Sequence, residues 1–197
     1  MCSHSDSQQS DNHFTFYLSM RRNILLFVSL LAVAFSLSSC FNNLESHTTP
    51  QMLFGNVYVN PQFSGDTLVS AKDTLYDNYD QELGISRLDT MQLGDTMMFT
   101  ALFSSDMNNL VSVNATYDTT CVSVWFGVDM EDEKTKKALK AESNPARGLL
   151  LFNPMYNTVS FPIYVAPQAT GSHAVKITVM SDSKYPTNSA AFILPVK

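Results

Sequence analysis

Residues 93–104 read LGDTMMFTALFS. Gly94-Asp95 is a turn signal, and after it Met97, Phe99, Ala101 and Phe103 fall on one face of a period-two strand. The same alternation spreads outward in both directions. Residues 54–60 (FGNVYVN) alternate and stop at Pro61; residues 66–70 and 74–76 are short β-rich runs; residues 85–93 lead into the turn itself. Downstream, residues 110–116 align Val111, Val113 and Ala115, and residues 121–128 align Val122, Val124, Phe126 and Val128. Residues 158–165 align Val159, Phe161, Ile163 and Val165; after Gly171-Ser172, residues 173–180 align Val175, Ile177 and Val179; residues 189–196 close the series. Short alternating runs divided by turns predict an all-β, antiparallel sandwich of about seven to nine strands, each sheet burying one face.

Residues 129–142 (DMEDEKTKKALKAE) break the pattern. Acids come first and lysines later, the order a helix dipole favours, while Met130, Ala138 and Leu139 make only a thin apolar face. This predicts a short exposed helical insertion of two to three turns, with a solvated charged loop as the alternative.

The chain has 197 residues and a net charge of -6. Without residues 1–39 it keeps 10 Lys and Arg against 16 Asp and Glu, again -6. An acidic balance with no basic cluster excludes nucleic-acid binding, which needs Lys and Arg on phosphates, and electrostatic adhesion to anionic lipid. Membrane contact must then come from residues 20–40, MRRNILLFVSLLAVAFSLSSC. Arg21 and Arg22, an apolar run from Ile24 to Leu37, and small residues before a cut form a secretory signal peptide. The run is short for a spanning helix, which needs roughly 20 apolar residues.

The ending Leu37-Ser38-Ser39-Cys40 resembles the lipobox of bacterial lipoproteins. That resemblance implies that Cys40 is acylated and becomes the first residue of the mature protein. The expected organisation is a mis-called start or dispensable leader at 1–19, a signal peptide at 20–39, the lipidated cysteine and its tether at 40–52, and one domain at 53–197. The tether carries a single acid, Glu45, whereas surface-displayed lipoproteins of the Bacteroidota often carry an acidic run there. The periplasmic side and the cell surface both stay open for an outer-membrane location.

Two stretches resemble bacterial immunoglobulin-like domains. Leu93-Gly94-Asp95-Thr96 with Phe99 is similar to the turn that opens an early core strand. Residues 169–179 (ATGSHAVKITV) are similar to the penultimate strand, with His173 near the place where many such domains carry a tyrosine. Trp125 fits the core tryptophan of a middle strand. With the lipobox, the chain resembles the immunoglobulin-like β-sandwich lipoproteins of the Bacteroidota, which implies an immunoglobulin-like fold.

No reaction is written in the motifs. The sequence holds no HExxH, G-x-S-x-G, P-loop or G-x-G-x-x-G pattern, and only His47 and His173 follow the signal. No catalytic residue, cofactor or metal site is expected. Cys121 reads as a core thiol. The acids Asp73, Asp77, Asp80 and Glu82 with Asn78, and the group Asp129, Glu131, Asp132 and Glu133, lack EF-hand spacing and read as solvated. Tyr76, Tyr79, Tyr156 and Tyr185 stand near turns, where exposed rings stack on sugars; they are the ligand-binding candidates. The functional expectation is a non-enzymatic, lipid-anchored envelope protein serving as a binding or structural module. The alternative is an accessory that captures glycans or peptides for an outer-membrane uptake system.

Overall fold

The computed structural model describes residues 48–65, 67–75, 77–80 (backbone) and 85–197. Cys40, the lipobox residues Leu37, Ser38 and Ser39, the signal peptide, Tyr76 and Glu82 lie outside the described residues, as do the side chains of Asp77, Asn78, Tyr79 and Asp80. The strands in chain order are β1 (Gln51–Phe54), β2 (Val57–Val59), β3 (Gln62–Ser64), β4 (Thr67–Ser70), β5 (Asp73–Leu75), β6 (Asp77–Asp80), β7 (Ile85–Leu88), β8 (Met97–Ser104), β9 (Leu110–Tyr117) and β10 (Val122–Phe126). Helix α1 (Glu133–Ala138) and a 3-10 turn (Pro145–Arg147) follow, then β11 (Leu149–Leu151), β12 (Thr158–Pro167), β13 (Gly171–Ser181) and β14 (Thr187–Val196).

Two six-stranded sheets result. The first has the order β10-β12-β8-β2-β5, with β1 also on β8; the second has the order β11-β9-β13-β14-β7-β6. All pairs are antiparallel except β7 on β14. One sheet built around β12-β8 and a facing sheet built around β9-β13-β14 is the strand order of an immunoglobulin-like sandwich. The chain has that fold.

The alternation decides the packing. Met97, Phe99, Ala101 and Phe103 are all buried, and so are Val122, Val124, Phe126, Phe161, Ile163 and Val165. They meet Val113, Val175, Ile177, Val179 and Leu194 of the second sheet in one core cluster. The Gly94-Asp95 turn does open a core strand, and residues 171–181 do form the penultimate one.

Several expectations change. The described residues carry more strands than seven to nine, because the N-terminal third is cut into short pieces. The run 54–60 is two strands, broken at Gly55, whose N–H donates to the Thr100 carbonyl at 2.8 Å. β1 begins at Gln51, two residues before the expected domain start. Val111 is exposed while Leu110 is buried, since a register shift at Met180/Ser181 sets Leu110 against Ser181 and reverses the parity there. Helix α1 has only 6 residues: Asp132 caps it by accepting the N–H groups of Lys134 and Thr135, and the backbone at Leu139 is already extended. Cys121 is half-buried at the turn before β10 rather than in the core, because Val122 takes the inward position.

Candidate functional site

Trp125 is not a core residue. Val122, Val124 and Phe126 of β10 point inward, so Ser123 and Trp125 point out. The registers then align one residue from each strand across the outer face of the first sheet: Trp125 opposite Tyr164, Tyr164 opposite Met98, Met98 opposite Tyr58, and Tyr58 opposite Thr74. The indole and the Tyr164 phenol stack with centroids 5.3 Å apart and planes 6° apart. Met98 is only 5% exposed yet stands outside the core cluster, so the outer row itself covers it. Tyr58 accepts a 3.3 Å hydrogen bond from Asn56 Nδ2.

Local sequence makes room for this row. A Cβ at Gly127 would lie 2.6 Å from Pro162 Cγ and 2.8 Å from Tyr164 Cε2, so glycine lets the Tyr164 ring and Pro162 close over the end of β10. The neighbouring outward positions are Gln51, Leu53, Thr100, Leu102, Ser104, Ser160, Pro162 and Ala166, and none is charged. The outer face of the second sheet, by contrast, carries Lys176 and Arg87.

Beside the row, at the β10 edge, opens a hollow of about 530 Å³ lined by Thr116, Tyr117, Ser123, Arg147 and Gln168 among others. Ser123, two residues before Trp125 on the same outward face of β10, lines the hollow. Tyr117 donates to the Val124 carbonyl at 3.2 Å, which fixes its ring in the wall. Gly148, at φ 67, ends the 3-10 turn that carries Arg147 into the rim. An aromatic row with a polar, singly cationic hollow next to it can stack on the apolar face of a ligand and hydrogen-bond its edge. What the arrangement offers is a contact surface, that of a structural or binding module.

Of the candidate tyrosines, Tyr76 lies outside the described residues, and Tyr79, Tyr156 and Tyr185 fall on different elements. The backbone sets Tyr79 on the edge strand β6 opposite Ser86. Tyr156 and Tyr185 sit on loops at the far end of the sandwich, Tyr156 half-buried and Tyr185 exposed. His173 is half-buried, its Nε2 2.7 Å from the Ala169 carbonyl. Cys121 Sγ lies 3.6 Å from Asp118 Oδ2. The acids of residues 129–133 are engaged locally: Asp129 accepts from the Glu131 N–H at 2.9 Å, and Glu131 and Glu133 pair with Lys136 at 3.1 and 3.8 Å. The described residues contain no group of three or more His, Cys, Asp or Glu side chains arranged to hold a metal ion.

Sequence reasoning missed the row, although a signal for it exists. Tyr58, Met98, Trp125 and Tyr164 all occupy the polar parity of their strands, where period two calls for Ser, Thr or a charge.

No family model matches the chain. No curated protein matches it either. Among solved structures it is similar to a FixG-related protein from Vibrio parahaemolyticus, at 7% identity and a TM-score of 0.35, over 75% of this chain and 96% of that one. It is similar to the PapD-like domain 7 of human CEP192, at 16% identity and a TM-score of 0.32, over 70% and 98%. It is also similar to AggA, the major subunit of aggregative adherence fimbriae type I from Escherichia coli, at 11% identity and a TM-score of 0.30, over 77% and 99%. The fold assignment rests on strand order and register.

Proposed function

We propose that this chain is a lipid-anchored, non-enzymatic binding module of the outer membrane, acylated at Cys40, that captures a neutral glycan on the outer-face rings Tyr58, Tyr164 and Trp125, which Met98 supports from beneath. The anchor follows from the lipobox-like ending of residues 37–40 and their likeness to lipoproteins of the Bacteroidota. The ligand class follows from one observation: an uncharged row of half-buried aromatic rings on the outer face of a sheet, with a hollow beside it that carries polar side chains. A sugar ring presents both an apolar C–H face, which aromatic rings cover, and hydroxyls, which Ser123, Gln168 and Arg147 are placed to meet. The row itself carries no charge, and Arg147 in the hollow beside it serves as a hydrogen-bond donor.

Two experiments test the reading. Radioactive palmitate should label the chain in cells, and Cys40→Ala should lose the label and accumulate as precursor; undiminished label on that variant overturns the anchor. On an array of neutral polysaccharides, Trp125→Ala should weaken binding about tenfold or more, a loss of about 1.4 kcal/mol. Binding that is unchanged in both Trp125→Ala and Tyr164→Ala removes the row from the site.

A further inference from the structure

The end of the sandwich opposite the aromatic row carries exposed apolar side chains on a rigid frame. Three loops meet there, at residues 105–109, 153–157 and 182–186. Asn109 stitches them: its backbone N–H and Nδ2 donate to Asp182 at 2.7 and 2.8 Å, and its Oδ1 accepts the Met155 N–H at 2.8 Å. Asn157 Nδ2 donates to the Asp106 carbonyl at 2.7 Å, and the Leu110 N–H to the Tyr156 carbonyl at 2.7 Å. On this frame Met155 is 89% exposed, Met107 76% and Tyr185 53%. Met155 also holds φ 87, a conformation that a side-chain-bearing residue adopts at a cost. A braced loop cluster that holds large apolar groups out into water is a contact surface.

The same end is where the chain from Cys40 arrives. The Pro50 carbonyl accepts a 2.8 Å hydrogen bond from Asn188 Nδ2, just after the loop at 182–186, and Gln51 pairs with Ser104, just before the loop at 105–109. However residues 40–50 are arranged, ten peptide units span at most about 36 Å. A membrane that holds Cys40 is therefore within reach of this end.

We propose that the loop end seats on the lipid bilayer, with Met107, Met155 and Tyr185 in its interface, so that the aromatic row is held away from the membrane. This rests on the anchoring of Cys40 proposed above. The anchor holds the apolar tip near the bilayer at high effective concentration, so a weak seat is enough to orient the domain. The charges of this end, Asp106, Asp182 and Lys184, nearly cancel, and Asp182 is engaged with Asn109. The seat is therefore apolar rather than electrostatic and tolerates zwitterionic lipid. Met98 is the second residue of β8 and Ser104 the last, which puts the row roughly 20 Å above the seat at the usual rise per residue.

The test uses the acylated chain, purified in detergent and reconstituted into phosphatidylcholine vesicles with brominated acyl chains. Its single tryptophan, Trp125, reports the far end and should stay unquenched. Met107→Trp and Met155→Trp, each made with Trp125→Phe, should be quenched at least twofold. A variant-free measurement guards against misfolding: amide exchange in residues 105–109, 153–157 and 182–186 should slow severalfold on the vesicles relative to the same acylated chain before reconstitution. Reporters at 107 and 155 quenched no more than Trp125, or exchange unchanged in all three loops, overturn the seat while leaving the anchor standing. Absence of palmitate from the purified chain overturns the anchor and the seat together.

Discussion

At position 127 a methyl group would occupy space already filled by Pro162 and Tyr164, at 2.6 and 2.8 Å from a Cβ. Gly127→Ala is expected to cost about 1–3 kcal/mol by overpacking and to displace the Tyr164 ring from Trp125. Urea titration and the near-ultraviolet dichroism of Trp125 measure the two effects; an unchanged midpoint with an unchanged spectrum contradicts both. Asp95 sets a pH-dependent term. Lys72 Nζ lies 2.7 Å from its carboxylate and Asn60 Nδ2 2.8 Å, and the Lys72 hydrogen bond holds the carboxyl below its ordinary range. Since the folded state favours the ionised form, its contribution is present above the ordinary carboxylate pKa, about 4, and fades as pH falls through the lowered value. Asp95→Asn should therefore reduce stability by up to about 1 kcal/mol at pH 7, the scale of a half-exposed pair, with the deficit shrinking toward pH 2. Thermal melts at both pH values decide, and an equal deficit at each removes the ion pair from the account. Most residues of the core were legible because Val, Ile and Phe keep parity along the long strands, Val111 at the β9 irregularity being an exception. Trp125 was not, because the size of an indole suggests burial while its place in the alternation dictates exposure.

Elements differ in how far they are supported. β13 is paired on both sides, by β9 and β14, along almost its whole length. β3 and β4 form a two-stranded ribbon outside both sheets, with Phe63 and Val69 exposed. An isolated ribbon is marginal in water, so its amides should exchange by local opening while those in the middle of β13 exchange only on global unfolding. Hydrogen exchange followed by mass spectrometry checks the ranking, and equal protection of Leu68 and Ile177 would contradict it. The long strands could be read from sequence, since β8, β12 and β13 carry enough alternating positions to fix a phase. Of the short ones, the runs 54–60, 66–70 and 74–76 anticipate β2, β4 and β5, while β3, β6 and β11 were not read. Such strands exist because neighbours pair with them, and three or four residues hold no period. Helix α1 was foreseen in kind but not in length. Its C-terminal end is set by tertiary contacts: Leu139 is buried, and Asn153 Nδ2 donates to the carbonyls of Lys137 and Leu139 at 3.0 and 3.1 Å.

Over the whole sandwich, burial is continuous from one sheet to the other, and this makes the fold a single cooperative unit rather than two stacked sheets. Phe103 is 0% exposed and stacks on Phe161 at 5.2 Å with planes 26° apart, and Phe161 packs against Phe126 at 5.1 Å. These rings join β8, β12 and β10 within the cluster that also holds Val113, Val179 and Leu194 of the facing sheet. Phe103→Ala removes the ring from a place where both sheets close on it, so the loss combines transfer and cavity costs, about 3–5 kcal/mol. Because the cavity opens between the sheets, the loss should fall on both together. Trp125 fluorescence reports the first sheet, and far-ultraviolet dichroism reports strands of both. The two unfolding curves should remain superimposed in the variant while their common midpoint falls. A variant in which Trp125 fluorescence changes at lower urea than the dichroism would mean that the first sheet loosens alone. The core would then be two half-cores in contact, and the single cluster would not be a single folding unit.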